Sequence, residues 1–378
     1  MAATTPRPFV VVTGGGTGGH VYPALAVADE LVRRGHDRAT VRFLGSARGM
    51  EADMVPAAGY AIDLLPGRGL LRRMSWAALR QNLRTAVDTV AALGRAVTLL
   101  RRQRPEVVFG VGGYAAAPGV VAARALRIPV VVHEQNAAPG VVNRLAVALG
   151  ARAAVSIPGT RLAGAVCTGN PVRAAIAEGA TADAASDADS HAGPDAGRFR
   201  VGVFGGSLGA GRINDAVLDL ACAWSDRADT AIRHVTGRRD HERCLERRPQ
   251  PPAGALRYER VPYEDDMPGL YRWADVVVTR AGAVTVAELA VAGEPAVVVP
   301  LPGAPSDHQT ANGRALADAG AAVLLPDDRC DGPALARALD ELRDPARRRA
   351  MSEAARTLAR PDAAARVADL VEETARAR

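Results

Sequence analysis

Twice in this chain, roughly 190 residues apart, a short β-branched strand runs straight into a glycine-rich turn and then a helix. Phe9-Val10-Val11-Val12 leads into Thr13-Gly14-Gly15-Gly16-Thr17-Gly18-Gly19-His20. Arg200-Val201-Gly202-Val203-Phe204 leads into Gly205-Gly206-Ser207-Leu208-Gly209-Ala210-Gly211. A strand with no polar face must be covered on both sides, as in a parallel sheet flanked by helices. The repeat therefore predicts an α/β protein of two Rossmann-like domains, each offering a glycine-rich rim to a shared cleft. A chain of 378 residues is long for one core, which agrees with two.

The stretch Asp275 to Asn312 gives the clearest chemistry. Val276 to Val278 read as a buried strand, and the turn Thr279 to Ala283 leads into a helix through Ala292. Ala296 to Val299 read as the next strand, followed by a Pro/Gly-rich loop ending in Asp307-His308-Gln309, with helix resuming at Gly313. A strand–turn–helix junction aims free N–H groups and the positive end of the helix dipole at one spot, which suits a phosphate or pyrophosphate. Thr285 adds a hydroxyl there, and Glu288, one turn into the helix, is placed to accept from sugar hydroxyls. The alternative reading is an ordinary βαβ unit with one exposed glutamate.

In the first half, Gly14, Gly16 and Gly19 spell GxGxxG, a weak signal alone. A dinucleotide site also wants an acidic residue about 20 residues on, at the end of the second strand. That strand, Val41 to Leu44, ends in Gly45-Ser46, so a nicotinamide oxidoreductase is demoted. His20 is either a general base near neutral pH or a capping and packing histidine. Val107 to Val111 end in Gly112-Gly113-Tyr114, Pro118 opens a helix, and Val130 to Val132 run into His133-Glu134-Gln135-Asn136. Strand C-termini are where open α/β sheets bind ligands, so Tyr114, His133, Glu134 and Asn136 join the His20 turn on one rim. Arg173, in Gly169-Asn170-Pro171-Val172-Arg173, offers a fork donor to a phosphate.

Between these lies GRGLLRRMSWAALRQNLRTAV, residues 67 to 87. Leu79, Leu83, Val87 and Val90 keep helical spacing and are assigned to the core. Leu70, Leu71 and Met74, ringed by Arg72 and Arg73 and followed by Trp76, form an apolar tip among arginines. Such a tip rests on an anionic leaflet without crossing it; the alternative is a helix pair with solvated arginines. No apolar run approaches the roughly 18 residues of a membrane span, and no signal peptide precedes the first strand.

Glu178 to Gly197 are rich in Ala, Asp, Gly and Ser, and read as a loosely held insertion in a linker spanning 174–199. The expected domains are 1–173 and 200–360, with a last helix in 361–378 packing back toward the first. Tyr263-Glu264-Asp265-Asp266-Met267 reads as a turn and helix cap rather than a metal site. The cysteines, Cys167, Cys222, Cys244 and Cys330, are scattered, which argues against a disulfide scaffold or structural zinc and fits a reducing compartment. Every one of the 47 basic residues is arginine, giving a net charge of +6. That balance selects no partner by itself, and 4% aromatics without basic–aromatic alternation speaks against nucleic acid.

Assembled in order, GGTGGHVYPALAVA, GVGGYAAAPG, HEQNAAPG, GNPVR, FGGSLGA, ADVVVTRAGAVTVAE and DHQTAN make the chain resemble the MurG family, peripheral membrane N-acetylglucosaminyltransferases that convert lipid I to lipid II in cell-wall synthesis. The resemblance covers nearly the whole chain apart from 178–197. It implies the GT-B fold, UDP-N-acetylglucosamine as donor, undecaprenyl-pyrophosphoryl-MurNAc-pentapeptide as acceptor, and a place on the cytoplasmic face of the cell membrane. It puts Thr17, Gly18 and Gly19 at the donor sugar and acceptor, and Asn136 on the GlcNAc. Arg173 and Ser207 serve the diphosphate and sugar, Ala283, Val284 and Thr285 line the diphosphate, Glu288 takes the ribose, and Gln309 holds the GlcNAc. Tyr114, Leu70, Leu71, Arg72, Arg73 and Trp76 fall to the acceptor and membrane side. No cofactor is required by this reading, magnesium being at most stimulatory. Protein partners, if there are any, are expected among cell-wall synthesis or division proteins. One departure stands out: Glu264 occupies a position that in the family is commonly apolar and lies beside the uracil.

The implied reaction is a single in-line displacement with inversion, in which a base takes the acceptor hydroxyl proton and the leaving diphosphate is stabilised. His20 is the first choice of base and Glu134 the second. A UDP-GlcNAc 2-epimerase of the same fold is the rival reading.

Overall fold

The structure is a computed structural model that describes residues 6–66, 76–182, 194–206, 209–247 and 255–377, with the backbone alone for 76–87, 180–182 and 306. The chain divides into two compact units, Met1–Arg173 with Pro361–Arg378, and Ala174–Arg360.

Unit 1 is built on seven strands: β1 Val10–Thr13, β2 Val41–Ser46, β3 Ala61–Leu65, β4 Val107–Gly110, β5 Val130–Glu134, β6 Arg152–Val155 and β7 Val166–Cys167. Their order is β3-β2-β1-β4-β5-β6-β7, every pairing parallel. Val10, Val12, Phe109 and Val131 point into one covering layer, and Val11, Val108, Val130 and Val132 into the other. Period-2 burial on both faces is what the unbroken valine runs require. The order reverses between β1 and β4, which sets the turns after those two strands side by side at the strand C-termini, the edge where open α/β sheets bind ligands.

Unit 2 repeats the plan with β8 Phe199–Phe204, β9 Thr230–Val235, β10 Arg257–Val261, β11 Val276–Thr279, β12 Ala296–Val298 and β13 Ala322–Leu324. The order β10-β9-β8-β11-β12-β13 is again all parallel, with the reversal between β8 and β11. Two Rossmann-like sheets are thus present.

The last helix, Ala363–Arg376, belongs to unit 1. Its Val367, Leu370 and Val371 sink into the same core cluster as Val27 and Leu31 of the helix Gly18–Arg33. Arg34 fastens the pair by ion pairs to Asp369 at 2.6 Å and Glu372 at 3.2 Å.

Several expectations need correcting. In the helix Trp76–Gln103 the buried face is Ala92, Ala96 and Leu100, while Val90 is 72% exposed. Alanines carry too little hydrophobic contrast for periodicity to single them out, and the larger valine dominates the pattern in their place. The side chains of Leu79, Leu83 and Val87 lie outside the described residues. The proposed loose insertion is in part ordered: residues 178–182 finish the helix Ala174–Ala182, and Asp195 is buried, bound by Trp273 Nε1 at 3.2 Å and Arg257 at 3.2 Å. Alanine favours helix whatever the apolar pattern. The helix expected from Gly313 starts earlier, at His308, which puts Gln309 in its first turn.

Candidate active site

Each unit carries a rim at the C-terminal ends of its strands. In unit 1 the first turn leaves β1 with Gly14, Gly15 and Gly16 at φ of +142°, +146° and +92°, values that only glycine adopts readily. This conformation lets the turn interlock with the turn after β4. A Cβ on Gly113 would lie 2.8 Å from the Gly15 carbonyl oxygen and 3.5 Å from His20 Cε1. His20 therefore packs directly on bare backbone, and its Nδ1 lies 3.2 Å from Thr17 Oγ1. Tyr114, 41% exposed, lays its ring beside Gly16. Arg173 stacks its guanidinium 4.8 Å above the Tyr22 ring, and Tyr22 covers Gly18. Thr17, Gly18, Gly19, His20, Tyr114 and Arg173 are thus brought together.

Behind this rim lies a buried polar frame. Glu134 Oε1 accepts from the backbone N–H of Asn136 at 3.1 Å and from Asn136 Nδ2 at 3.2 Å. Its Oε2 accepts from the Gly140 N–H at 2.9 Å and from Asn143 Nδ2 at 2.8 Å. A carboxylate this fully engaged is set to hold the 135–140 loop, and Asn136 with it. His133, expected on the rim, is fully buried beneath it. Its Nε2–H donates to the Gly169 carbonyl at 3.0 Å, and its Nδ1 accepts from Gln135 Nε2 at 3.2 Å, so it ties the Gly169–Arg173 loop to β5.

In unit 2 the turn after β11 opens the helix Ala283–Ala292 at Gly282, with no side chain capping its N-terminus. The backbone N–H groups of the first turn, around Ala283, Val284 and Thr285, are those an anion would meet. Arg280 stiffens the turn from below: Nη1 donates to the Val299 and Pro300 carbonyls, both at 3.1 Å, and to Asp327 Oδ1 at 2.6 Å. Asn312 Nδ2 donates to the Ala281 carbonyl at 3.2 Å, binding the helix His308–Asp318 to the same turn. Gln309 Oε1 accepts from the Leu301 N–H at 3.0 Å, which aims its amide away from that loop. Glu288 is only 3% exposed, not an open surface carboxylate, and its Oε2 accepts from Tyr271 at 3.1 Å. Glu264 is paired with Arg233 at 2.9 Å, and Asp266 caps the helix Met267–Trp273 by accepting from the Gly269 N–H at 2.9 Å.

Some expected site residues lie outside the described residues: Ser207, and Leu70, Leu71, Arg72 and Arg73 with the side chain of Trp76. Among the described residues no cluster of His, Cys, Asp and Glu is arranged to hold a metal ion, and no helix is long and apolar enough to cross a membrane. Glu51, Asn143, Tyr271, Arg280 and Asn312 were missed by sequence reasoning. Arg280 and Asn312 stand inside motifs already singled out, and their burial is the signal that was lacking.

The frame carries a pH dependence. Burial pushes the His133 imidazole down to about 4. Burial, with Arg260 and His241 adding to it, pushes His234 in unit 2 down to about 3. An unfolded histidine binds its proton near pH 6.5, whereas these remain neutral in the fold. Stability is therefore fully present above pH 6.5 and is lost as pH falls toward 4, at up to about 1.4 kcal/mol per pH unit for each histidine. Burial also holds the Glu294 carboxyl well above its usual range, which acts in the opposite sense, so each histidine is read by difference: the fall in Tm between pH 7.5 and 5 should be smaller in His133→Gln or His234→Gln than in the parent. An unchanged slope in both variants contradicts the buried-neutral assignment.

The comparisons with known proteins agree with this geometry. The glycosyltransferase family 28 N-terminal domain matches residues 10–155, and the family 28 C-terminal domain matches residues 200–367. The UDP-N-acetylglucosamine--N-acetylmuramyl-(pentapeptide) pyrophosphoryl-undecaprenol N-acetylglucosamine transferase of Methylococcus capsulatus is 44% identical over 375 residues, covering 97% of this chain and 98% of the relative. The protein of the same name from Alkalilimnicola ehrlichii is 42% identical, covering 97% and 99%. Among solved structures, Acinetobacter baumannii MurG superposes with a TM-score of 0.74 at 31% identity, covering 97% of this chain and all of that one. The kitacinnamycin glycotransferase, with a TM-score of 0.68 at 19% identity, shares the GT-B fold. Two parallel-sheet units, a glycine-rich turn after the first strand of each, and relatives that align from end to end lead to one assignment: the chain belongs to glycosyltransferase family 28, as a member of its MurG group of N-acetylglucosaminyltransferases.

Proposed function

We propose that the chain transfers GlcNAc from UDP-N-acetylglucosamine to the C4 hydroxyl of MurNAc in undecaprenyl-pyrophosphoryl-MurNAc-pentapeptide, inverting the anomeric centre to a β-1,4 link. The observation that carries the reading is that relatives named for this transfer align with 97% of the chain. A UDP-GlcNAc 2-epimerase on the same fold is the weaker reading for the same reason.

The chemistry divides between the rims. His20 serves as base: in the tautomer that donates Nδ1–H to Thr17 Oγ1, Nε2 carries the lone pair that takes the acceptor proton. Glu134, with four donors on its two oxygens, acts instead by fixing Asn136, which contacts the GlcNAc. Thr17, Gly18 and Gly19 flank the reacting sugar, and Tyr114 faces the acceptor. On the donor side, the N–H groups of the Ala283–Thr285 turn, with Arg173 and Ser207, take up charge as the diphosphate leaves. Glu288, held by Tyr271, receives the ribose hydroxyls, and the amide of Gln309 the GlcNAc. No cofactor enters these steps, and magnesium is at most stimulatory.

The acceptor's lipid tail keeps the reaction at a bilayer. We assign the contact to an anionic surface on the cytoplasmic face, met by Leu70, Leu71, Arg72, Arg73 and Trp76, with cell-wall synthesis or division proteins as the class of protein partner. The test is UDP release from UDP-GlcNAc with and without a lipid I analogue. Release is expected only with the analogue. Epimer formation without acceptor would replace the transferase by the isomerase.

A further inference from the structure

Glu51 opens the short helix Glu51–Ala57 and is 1% exposed, a buried carboxylate that no step above uses. Its Oε2 accepts from the Gly16 N–H at 2.7 Å and its Oε1 from the Ser46 N–H at 2.9 Å. One side chain thus joins the turn after β1 to the end of β2. Glycine makes room for it on three sides. A Cβ on Gly15, Gly45 or Gly49 would lie 2.2, 2.6 or 2.0 Å from Glu51 side-chain atoms. In nucleotide-binding Rossmann domains the N–H groups of this turn are turned toward a ligand phosphate. In this chain an internal carboxylate accepts one of them.

We propose that Glu51 is a positioning residue for the transfer, acting as a built-in anion that holds Gly14–Gly16 in its left-handed path and so presents Thr17 and His20 in a fixed geometry. His20 sits four residues beyond the Gly16 N–H and rests on Gly112 and Gly113, which the same turn contacts. A change in the turn therefore moves the base against the sugar. A misplacement of about 1 Å costs on the order of 10²-fold in rate. The proposal rests on the transfer proposed above, with the position of His20 as its first readout.

Two variants separate acceptor chemistry from space filling. Glu51→Gln keeps the shape but sets an NH2 group against one of two N–H donors. Glu51→Asp keeps both acceptor oxygens and gives up one methylene. The expected result is a fall in kcat of about 10- to 100-fold for E51Q, an unchanged KM for UDP-GlcNAc, and a smaller loss for E51D. A packing role predicts the reverse ranking, with Gln tolerated better than Asp. In a double-mutant cycle, the loss from Glu51→Gln should be much smaller in the His20→Ala background than in the parent, because both changes act on the same positioned base. Multiplying effects, a rise in donor KM at unchanged kcat, wild-type turnover in E51Q, or loss of the folded state in both variants would each overturn the proposal. If His20→Ala alone keeps wild-type turnover, the base assignment fails by itself. The cycle run with Thr17→Ala then reads the proposal: non-additive losses uphold it, multiplying losses overturn it.

Discussion

His20→Ala lowers kcat by about 10²-fold or more and leaves the KM for UDP-GlcNAc near its wild-type value. The split follows from the role assigned to the residue. His20 takes the acceptor's proton, whereas the donor is held by Asn136, Arg173, Glu288 and the turn at Gly282 to Thr285. Removing the imidazole takes away the proton acceptor and leaves the donor's anchors in place. Steady-state kinetics with both substrates varied, together with UDP binding by calorimetry, provide the check. A collapse of donor affinity with turnover of bound substrate intact would make His20 a binding residue.

Arg280→Ala has the second largest expected effect, on stability first and on donor use as a consequence. The guanidinium is buried and joins three segments: the end of β11, the carbonyls of Val299 and Pro300 after β12, and Asp327 after β13. Truncation strands a largely buried carboxylate and two carbonyls, a loss of about 3–5 kcal/mol by the measure of other broken buried pairs. The turn at Gly282 and the loop that leads to Gln309 lose their common tie, so donor KM should rise as well. Urea unfolding followed by tryptophan fluorescence reads this, since Trp224 and Trp273 both lie in unit 2. A loss below about 1 kcal/mol would mean that Arg280 is not the tie described.

What could be seen in the sequence was whatever has a strong local cause. The valine runs at Val10, Val107, Val130 and Val276 are strands because nothing else buries β-branched residues on two faces, and each is a strand in the structure. Glycine-rich turns were visible because positive φ and close backbone approach restrict the residue type. The strands Thr230–Val235 and Arg257–Val261 went unrecognised because arginine, glutamate and histidine interrupt their apolar pattern. His234 is accommodated there only through Asn214 Oδ1 at 3.0 Å and Tyr258 at 2.8 Å, partners 20 and 24 residues away. The candidate site divides in the same way. His20, Arg173 and Glu288 stood out in motifs, whereas Glu51 became visible only when the chain brought Gly16 to it from 35 residues upstream.

The placement of Ala363–Arg376 in unit 1 means that the first body to emerge from the ribosome is the last to be finished. Domains generally fold as units while the nascent chain grows. Unit 2 lies wholly between Ala174 and Arg360 and has all its parts once Arg360 has been made, before the last helix of unit 1. Unit 1 waits with the groove beside Val27 and Leu31 bare until Val367 and Val371 leave the exit tunnel. The closing of that groove is thus the last step in finishing unit 1.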